Sequence, residues 1–478
     1  MAPPLVIAAG TRLAIQYSTH RLRDTLEPFI TDVSQRLTQS NTLHDSIQAA
    51  AESLPELAKF FVIDHDTDRS FALRDEYLFS QWAIRELVLC RSDRTRYDID
   101  LTAGGDALID LHRLLALSSS GSCDRLSIRD RLSGDMRDLL QSLMESGIIV
   151  EQERPLQRFA PVNRAGVYRL QHASLLYRTP ASGVLVDPHL HSTYSPGLRN
   201  DIYRDQLHGK VDAILISHSH EDHWFLSTLL MFPLDTPIVV PKVPRPTIIC
   251  GNMEELLRSC GFTNVIAVDW YAAPIRFGDI EVHVLPFYGE QPLRYEDPKH
   301  PDIRNWGNTY LIRSDQFTSW FLIDSGSDSL GSMADVARYV RNKFSHVDFM
   351  LSNLRPFHIA SPLYINGGLN WLTLSPDQLR TFSDMKRHCI TLGPSGVAEI
   401  CDIVQASYYL PYAHWFGEVG CEGDVAVDTP GQSEVGLLKE LADSLDELGV
   451  RTKIIPWRIG DGFVRQRGGG FEAMSLGE

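Results

Sequence analysis

Three imidazoles and the carboxylate of Asp222 fall within one six-residue segment, His218-Ser219-His220-Glu221-Asp222-His223. Histidine and aspartate together supply the mixture of nitrogen and oxygen ligands that binds Zn²⁺, Fe or Mn²⁺. In an extended or turning segment, His218 and His220 project to one side and leave Asp222 and His223 free to turn toward a second ion. A polar loop without metal explains this spacing poorly. The segment therefore predicts a site for two metal ions.

The elements around this segment must hold it at the edge of a sheet. An apolar run at 211–216 predicts a buried strand that ends directly before it. Further strand-like runs, each ending near polar residues, lie at 237–240, 280–285, 320–323, 347–351 and 408–410, and helical patterns lie at 254–258, 333–343 and 435–448. This alternation predicts a layered α/β domain over residues 165–465.

The first 160 residues differ from that pattern and predict an α-rich N-terminal domain. The clearest helix there has Met136, Leu140 and Leu143 on one face, with Asp135 as a candidate cap and Gly147 after its end. A helix, a glycine and a short apolar strand also occur in winged-helix units, but a packing, dimerisation or docking region is the expectation. Residues 466–478 contain three consecutive glycines and are expected to form a flexible tail.

Composition excludes several classes of protein. The chain has 478 residues, of which 43% are hydrophobic and 22% charged, as in globular proteins and unlike disordered or fibrous ones. Its net charge of −16 disfavours nucleic acid or an anionic membrane as partner. Seven cysteines without a Cys-x-x-Cys pair suggest neither a disulfide framework nor a cysteine zinc site. We expect a cytoplasmic protein, because neither a signal peptide nor a long apolar run is present.

The six-residue segment resembles the metal motif of the metallo-β-lactamase superfamily, in which His-x-His-x-Asp-His follows a strand of an αββα sandwich. The resemblance covers about residues 165–465 and implies that fold for the α/β domain. It also implies that Asp187 orients the metal loop through hydrogen bonds. By the same resemblance, Asp324 is the carboxylate that bridges the two ions, and His414 is the last histidine ligand.

One position departs from the family pattern. The family usually supplies a histidine ligand between the metal motif and the bridging aspartate, whereas this sequence has Glu290 at that place. His283 lies several residues too early, inside a strand, and is expected to be a core histidine. The implied ligands are therefore His218, His220 and Glu290 on one ion, Asp222, His223 and His414 on the other, and Asp324 between them, with Glu290 and Asp324 taken as catalytic.

The carboxylate at position 290 carries a narrower resemblance. Within the superfamily, the dinuclear iron β-hydroxylases, of which one acts in chloramphenicol biosynthesis, have a glutamate at this place and an extension before the sandwich. Carboxylate ligands favour Fe(II)/Fe(III) over Zn²⁺ because they stabilise the higher oxidation state. The resemblance implies a biosynthetic O₂-dependent monooxygenase with two Fe ions and an external electron donor. Its substrate would be derived from an amino acid and bound to a carrier protein, and the enzyme is expected to be a homodimer.

Two other functions remain open at this stage. The same ligands could hold two Zn or Mn ions in a hydrolase of an ester, lactone or phosphodiester, in which metal-bound hydroxide is the nucleophile. A metal-stabilised binding protein is the third possibility.

Several other histidines and one arginine are not expected to bind the metal ions. His189 and His191 are expected to lie in a loop or to support the ligands, and His172, in the first hairpin, is expected to be structural. Arg355 and His358 are candidates for substrate contact because they follow a strand.

Overall fold

The computed structural model describes most of the chain. The described residues are 5–7, 11–14, 21–37, 42–64, 70–79, 86–91, 96–100, 105–119, 124–129, 132–151, 163–190, 207, 209–220, 222–291, 299–357, 370–381, 389–414, 416 and 433–475. His191, His358 and the expectations that concern them lie outside these ranges.

The region before residue 160 contains small sheets as well as helices. Its strands are β1 (Leu5–Ile7), β2 (Thr11–Ala14), β3 (Phe61–Asp64), β4 (Ser70–Leu73), β5 (Glu86–Arg91), β6 (Arg96–Asp100) and β7 (Ile149–Glu151), and its helices are α1 (Arg21–Leu37), α2 (Leu43–Ser53), α3 (Gly105–Ser119), α4 (Arg125–Arg129) and α5 (Gly134–Glu145). β1 pairs with β7, β3 pairs with β4, and β2, β5 and β6 form a third sheet. The region is therefore mixed rather than purely α-rich. Its strands are three to six residues long, and runs this short are difficult to recognise from sequence periodicity alone.

Helix α5 occupies the segment that the apolar stripe predicts. Its cap is Ser133 rather than Asp135, since the Ser133 hydroxyl accepts a hydrogen bond from the Met136 amide. Gly147 follows the helix with a φ of 69°, and the amide of Ile148 donates to the carbonyl of Leu143. This left-handed glycine turns the chain directly into β7.

Residues 163–475 carry the other elements. The strands are β8 (Gly166–Arg169), β9 (Leu175–Arg178), β10 (Gly183–Val186), β11 (Ala213–Leu215), β12 (Ile238–Pro241), β13 (Val265–Val268), β14 (Ile275–Phe277), β15 (Ile280–Pro286), β16 (Asn308–Arg313), β17 (Thr318–Ile323), β18 (Ser327–Asp328), β19 (Gly331–Ser332), β20 (Phe349–Ser352), β21 (Tyr408–Pro411), β22 (Lys453–Ile454), β23 (Asp461–Arg465) and β24 (Phe471–Ser475). The helices are α6 (Leu226–Leu229), α7 (Met253–Ser259), α8 (Met333–Phe344), α9 (Pro376–Thr381), α10 (Gly393–Val404) and α11 (Glu434–Glu447). Among these and the preceding helices, none combines the length and the hydrophobicity that a bilayer-crossing segment needs.

Two mixed sheets form the sandwich. The first has the order β13-β12-β11-β10-β9-β8-β23-β24, and the second has the order β14-β15-β16-β17-β20-β21-β22. Parallel pairing runs from β10 to β13 in the first sheet and from β17 through β20 and β21 to β22 in the second. Every residue of β10 and β11 is buried, because both faces of these central strands are covered.

One apolar core lies between the sheets. It joins Tyr177, Val184 and Leu215 of the first sheet to Tyr310 and Phe349 of the second. Helices α8, α10 and α11 cover the outer face of the second sheet, through a separate cluster that includes buried residues of each helix. The αββα sandwich that the sequence predicts is confirmed.

Helices from the N-terminal region help to cover the outer face of the first sheet. Leu111 of α3 and Leu143 of α5 belong to the same buried cluster as Leu185 and Ile214 of β10 and β11. His112 of α3 is buried, and its Nδ1 and Nε2 lie 2.7 Å and 2.9 Å from the carbonyl oxygens of Cys260 and Phe232. The N-terminal region therefore shares its core with the sandwich.

Part of the expected tail is a strand. Phe471–Ser475 form β24, which pairs antiparallel with β23 at the edge of the first sheet. The glycines at 468–470 make the turn between the two strands, and two of them, Gly469 and Gly470, have positive φ. The buried Phe471 ring stacks on Phe463. The prediction of a flexible tail is therefore wrong for residues 471–475, because the glycines serve a hairpin.

The shared core predicts a stability difference between two leucines of the N-terminal region. Leu111 is 0% exposed beneath the sandwich, whereas Leu126 is 68% exposed. We expect Leu111→Ala to lower the free energy of unfolding by about 3 kcal/mol, and the control Leu126→Ala to change it by less than about 0.5 kcal/mol. Urea unfolding of the full chain measures both values, and equal effects would contradict the shared core.

Candidate metal centre

The predicted ligands stand on tight turns at the ends of strands. Of the non-glycine residues with positive φ in the described ranges, four belong to this centre or its support: His172, Asp187, Glu290 and His414 have φ of 47°, 42°, 48° and 47°. Such left-handed backbone is costly for residues with a side chain and clusters at functional sites. The strain lets each side chain turn over the edge of the sandwich.

Asp187, at the end of β10, fixes the first part of the metal loop. Its carboxylate accepts hydrogen bonds from the Ser217 amide at 2.7 Å, the Ser217 hydroxyl at 2.6 Å and His223 Nδ1 at 3.0 Å. Because the Ser217 hydroxyl donates to Asp187, its oxygen is left to accept from His218 Nδ1 at 2.9 Å. Both imidazoles are therefore held with Nε2 as the atom that can bind a metal.

Glu290 lies on a turn that requires the preceding glycine. Gly289 has a φ of 93°, and a β-carbon there would stand 2.4 Å from the Ile390 carbonyl oxygen. The Glu290 amide donates to that same carbonyl, and the Gly289 amide donates to Asp328 Oδ2. The buried Glu290 carboxylate then places Oε2 3.3 Å from His218 Nε2 and 3.1 Å from His220 Nδ1.

Asp324 and His414 complete the other side. Asp324 follows β17, and its Oδ2 lies 3.0 Å from His223 Nε2, whereas its Oδ1 lies 2.8 Å from His414 Nε2. His414 follows β21, and the buried Arg355 donates from Nε to the His414 carbonyl oxygen. Arg355 therefore supports the backbone of His414. The sequence predicts contact with substrate for Arg355 and does not predict this hydrogen bond.

Asp222 lies between histidines. Its Oδ2 is 3.3 Å from His223 Nε2, 3.9 Å from His414 Nδ1 and 3.2 Å from His172 Nε2. The structure therefore brings His172 to the site, where the sequence analysis assigned it a structural role. The position of His172 in the turn between β8 and β9 could have indicated a role at the site. Its contact with Asp222 could not be predicted, because the two residues are 50 positions apart in the sequence.

These residues form three groups, and within each group the candidate ligand atoms lie within 4.8 Å of one another: His218, His220 and Glu290; His218, His223 and Asp324; and His172, Asp222 and His414. The first two groups share His218, and the third has no residue in common with them. All seven residues predicted as ligands are included, and His172 is added. Their ligation of metal stays a prediction.

Four buried atoms test whether the site fits metal ions. His218 Nε2, His223 Nε2, Glu290 Oε2 and Asp324 Oδ2 are buried, and among the described residues none of them has a hydrogen-bond partner. Buried polar atoms without partners are costly. All four belong to the groups above and face one another. Cations bound within these groups would satisfy the four atoms, so the residues fit the metal ions that the fold implies.

The other candidate histidines in the described ranges belong to none of these groups. The His189 ring stacks on Phe225 with a centroid distance of 3.8 Å. His283, within β15, lies 2.7 Å from Glu281 through Nε2 and packs against Phe344. Neither residue appears in a group of potential ligands in the described ranges. The expectation that His283 is not the third-position ligand agrees with this placement.

Mutual contacts set the charges of the site. Burial alone would lower the pKa of His223, but contact with Asp222, Asp187 and Asp324 outweighs it and holds the pKa well above its usual value. Burial would likewise lower the pKa of His414, and Asp324 raises it. Burial would raise the pKa of Asp324, yet His414 and His223 hold it well below its usual value. These carboxylates and imidazoles therefore stabilise each other's charged forms, whereas burial lowers the pKa of His218.

The sequence comparisons each cover part of the chain. Residues 167–249 match the model of the metallo-beta-lactamase superfamily. A curated relative from Streptomyces venezuelae, 4-amino-L-phenylalanyl-[CmlP-peptidyl-carrier-protein] 3-hydroxylase, is 32% identical over 172 residues. That match covers 35% of this chain and only 30% of the relative.

The structural comparisons concern the whole fold. The crystal structure of CmlA, a diiron β-hydroxylase from Streptomyces venezuelae, superposes with a TM-score of 0.54 at 16% identity and covers 99% of this chain and 98% of that one. A possible metal-dependent hydrolase from Veillonella parvula has a TM-score of 0.40 at 14% identity, over 63% of this chain and 99% of that one. The resemblance to the superfamily and its fold is confirmed.

The raised histidine pKa values predict that metal binding weakens in acid. Since the neighbouring carboxylates raise the pKa of His223 and His414, protons compete with a metal ion for their nitrogens up to a higher pH than at an ordinary imidazole. Below the raised pKa values the affinity should fall by about 10-fold to 100-fold per pH unit, starting above the usual histidine pKa of about 6.5. Competition of Zn²⁺ with a chromophoric chelator between about pH 6 and 8 measures this slope. An affinity that does not change with pH would contradict the prediction.

Proposed function

We propose that this chain, which has the metallo-β-lactamase fold and a segment matching that superfamily, is a dinuclear iron, O₂-dependent monooxygenase. Its proposed substrate is an amino-acid-derived group bound to a carrier protein in a biosynthetic pathway. The observation that carries the proposal is the place of Glu290, whose Oε2 lies 3.3 Å from His218 Nε2 and 3.1 Å from His220 Nδ1. A carboxylate thus takes the position where the superfamily usually has a third imidazole.

The donor set supports iron. In the proposed ligand set, the three carboxylates of Asp222, Glu290 and Asp324 meet four imidazoles, and the groups contain His172 as a fifth. Anionic oxygen ligands stabilise Fe(III) more than Fe(II), and so make redox cycling accessible at a site that would otherwise suit Zn²⁺. In the proposed arrangement His218, His220 and Glu290 hold one ion, Asp222, His223 and His414 hold the other, and Asp324 lies between them. His172 is then a partner of the Asp222 carboxylate.

The curated relative supports the substrate class. Its name describes hydroxylation at carbon 3 of an aminoacyl group held on a peptidyl carrier protein. The matching 172 residues include part of the sandwich and leave most of the relative unmatched. Activity on a carrier-bound aminoacyl group is therefore the proposal for this chain, and a carrier protein and an external electron donor are its proposed partners.

The chain's own residues orient the site and shield it from water. When bound, an iron pair would supply the reduction of O₂ and the oxidation of a substrate C–H bond, with electrons from the external donor. Asp187 and Ser217 fix the tautomers of His218 and His223. The Phe287 ring stacks 5.1 Å from His218, and the Phe357 ring lies 4.7 Å from His414 at a steep angle. These rings line the ligands with apolar surface, which favours a C–H substrate over bulk water.

The domain arrangement is part of the proposal. Residues 1–160 would mediate homodimerisation or carrier docking, and residues 165–465 would carry the chemistry, in a cytoplasmic enzyme. Light scattering of the full chain would give twice the monomer mass of 53.8 kDa for a homodimer.

A dinuclear zinc or manganese hydrolase is the second candidate. The four imidazoles favour it, because nitrogen ligands suit Zn²⁺. In that case the pair would lower the pKa of a bound water for attack on an ester, lactone or phosphodiester. Metal content and colour separate the two candidates.

Replacement of Glu290 tests the proposal. Protein loaded anaerobically with Fe(II) should hold about two Fe per chain, become coloured on oxidation, and consume O₂ with a reductant and an aminoacyl carrier protein. Glu290→Gln should lower the iron content to about one per chain and abolish hydroxylation, because the ligand charge is lost. Metal analysis, the near-ultraviolet and visible spectrum, and mass spectrometry of the carrier-bound product measure these outcomes.

His283→Gln is the matched control, since His283 lies in the strand that leads to Glu290 but contacts Glu281 instead of the site. It should retain both Fe ions and the activity. Two Fe in Glu290→Gln would remove Glu290 from the ligands. Two colourless Zn ions with ester hydrolysis in the unaltered protein would favour the hydrolase.

A further inference from the structure

The two ring nitrogens of His220 face different partners. Nδ1 lies 3.1 Å from Glu290 Oε2, within the group of candidate ligands, whereas Nε2 lies 3.3 Å from Nδ2 of the Asn305 side chain. An imidazole that binds a metal through Nδ1 offers its lone pair there and carries its proton on Nε2. A metal-bound His220 therefore needs a hydrogen-bond acceptor at the place where Asn305 stands.

Asn305 can supply that acceptor. Its side chain is buried, and its Oδ1 has no hydrogen-bond partner among the described residues. As placed, the amide presents its Nδ2 donor, which suits a metal-free imidazole with the proton on Nδ1. Half a turn about the Cβ–Cγ bond exchanges Nδ2 and Oδ1. Because Oδ1 makes no bond in the present orientation, this turn breaks only the contact with His220 and remakes it with the opposite polarity.

The backbone of Asn305 is fixed to the Glu290 turn. The Asn305 amide donates to Gln291 Oε1 at 2.9 Å, and Gln291 Nε2 donates to the Asn305 carbonyl at 3.0 Å and to the Gly289 carbonyl at 2.9 Å. Gln291 follows Glu290 directly, so one reciprocal clamp positions both the Glu290 carboxylate and the amide that faces His220. The neighbouring Arg304 reinforces it through Asp328, whose Oδ2 also accepts from the Gly289 amide.

We propose that Asn305 is the positioning residue for His220: its side-chain Oδ1 accepts the Nε2–H proton when metal is bound, which holds the ring and selects Nδ1 as the ligand atom. The amide then turns with metal occupancy, donating in the metal-free protein and accepting in the loaded one. The inference rests on metal binding at this site and does not depend on the identity of the metal or on the reaction. Partners of this kind, behind a metal-bound histidine, are worth about 10-fold to 100-fold in metal affinity.

Two substitutions at position 305 test whether the side chain must accept a hydrogen bond from His220 Nε2. Aspartate can only accept when ionised, so Asn305→Asp should bind Zn²⁺ at least as tightly as the unaltered protein. Leucine has a similar size and no polar atom, so Asn305→Leu should bind Zn²⁺ about 10-fold to 100-fold more weakly. Both affinities are measured by competition with a chromophoric chelator. Asn370→Leu is the matched control, because Asn370 is buried and lies outside the groups of potential ligands. It should leave the affinity unchanged.

A spectroscopic measurement tests the tautomer directly. In ¹⁵N-histidine spectra of the Zn²⁺-loaded protein, a histidine with a protonated Nε2 and a metal-bound Nδ1 should appear, and its Nε2–H resonance should shift in Asn305→Asp. This comparison stands even if Asn305→Leu does not fold.

Three results would overturn the inference. These are an equal loss of Zn²⁺ affinity in the aspartate and leucine variants, parental affinity in Asn305→Leu, or no histidine with that proton pattern. A zinc hydrolase that showed the expected pattern would refute the iron oxygenase and leave the role of Asn305 intact. Absence of Zn²⁺ binding in the unaltered protein would refute both.

Discussion

The carboxylates of Glu290 and Asp324 are buried in one site, where burial alone would raise the pKa of each and the charge of Asp324 would raise that of Glu290 further. Contacts with His220, His223 and His414 outweigh this and keep the pKa of each carboxyl below its usual value, and bound cations can take over that stabilisation. The rest of the architecture follows from the need to hold these like charges together. Turns with positive φ and the hydrogen bonds of Asp187 hold the carboxylates and imidazoles in place. The packed sheets stabilise these strained turns.

The N-terminal region contributes to that rigidity at two places. Its helices α3 and α5 cover the first sheet, beneath the strands that end at Asp187 and the metal loop. A second cluster joins Leu26 and Phe29 of α1 to Phe357 and Ile390. Phe357 touches the His414 ring, and the Ile390 carbonyl accepts from the Glu290 amide. Both ends of the centre therefore rest on residues that precede the sandwich in the sequence.

Local patterns made much of this structure predictable. The apolar runs of β11, β15, β17 and β21 mark their strands, and a motif beside each strand end marks a ligand. What could not be predicted depends on distant contacts or on weak periodicity. His172 and Asn305 meet the site only through folding, since neither residue type nor spacing distinguishes them. The glycines at 468–470 indicate flexibility when the alternation in Phe471–Ser475 is overlooked, and a three-residue strand such as β1 is too short to show a period.

The shared cover of the first sheet also constrains the order in which the chain can fold during synthesis. Helices α3 and α5 leave the ribosome before β10, β11 and β12, so the leucines that later lie against these strands meet water first. At about 5–20 residues per second, the exposed stripe persists for several seconds before its partners emerge. The interval before the central strands emerge is therefore the one in which aggregation competes most strongly with folding.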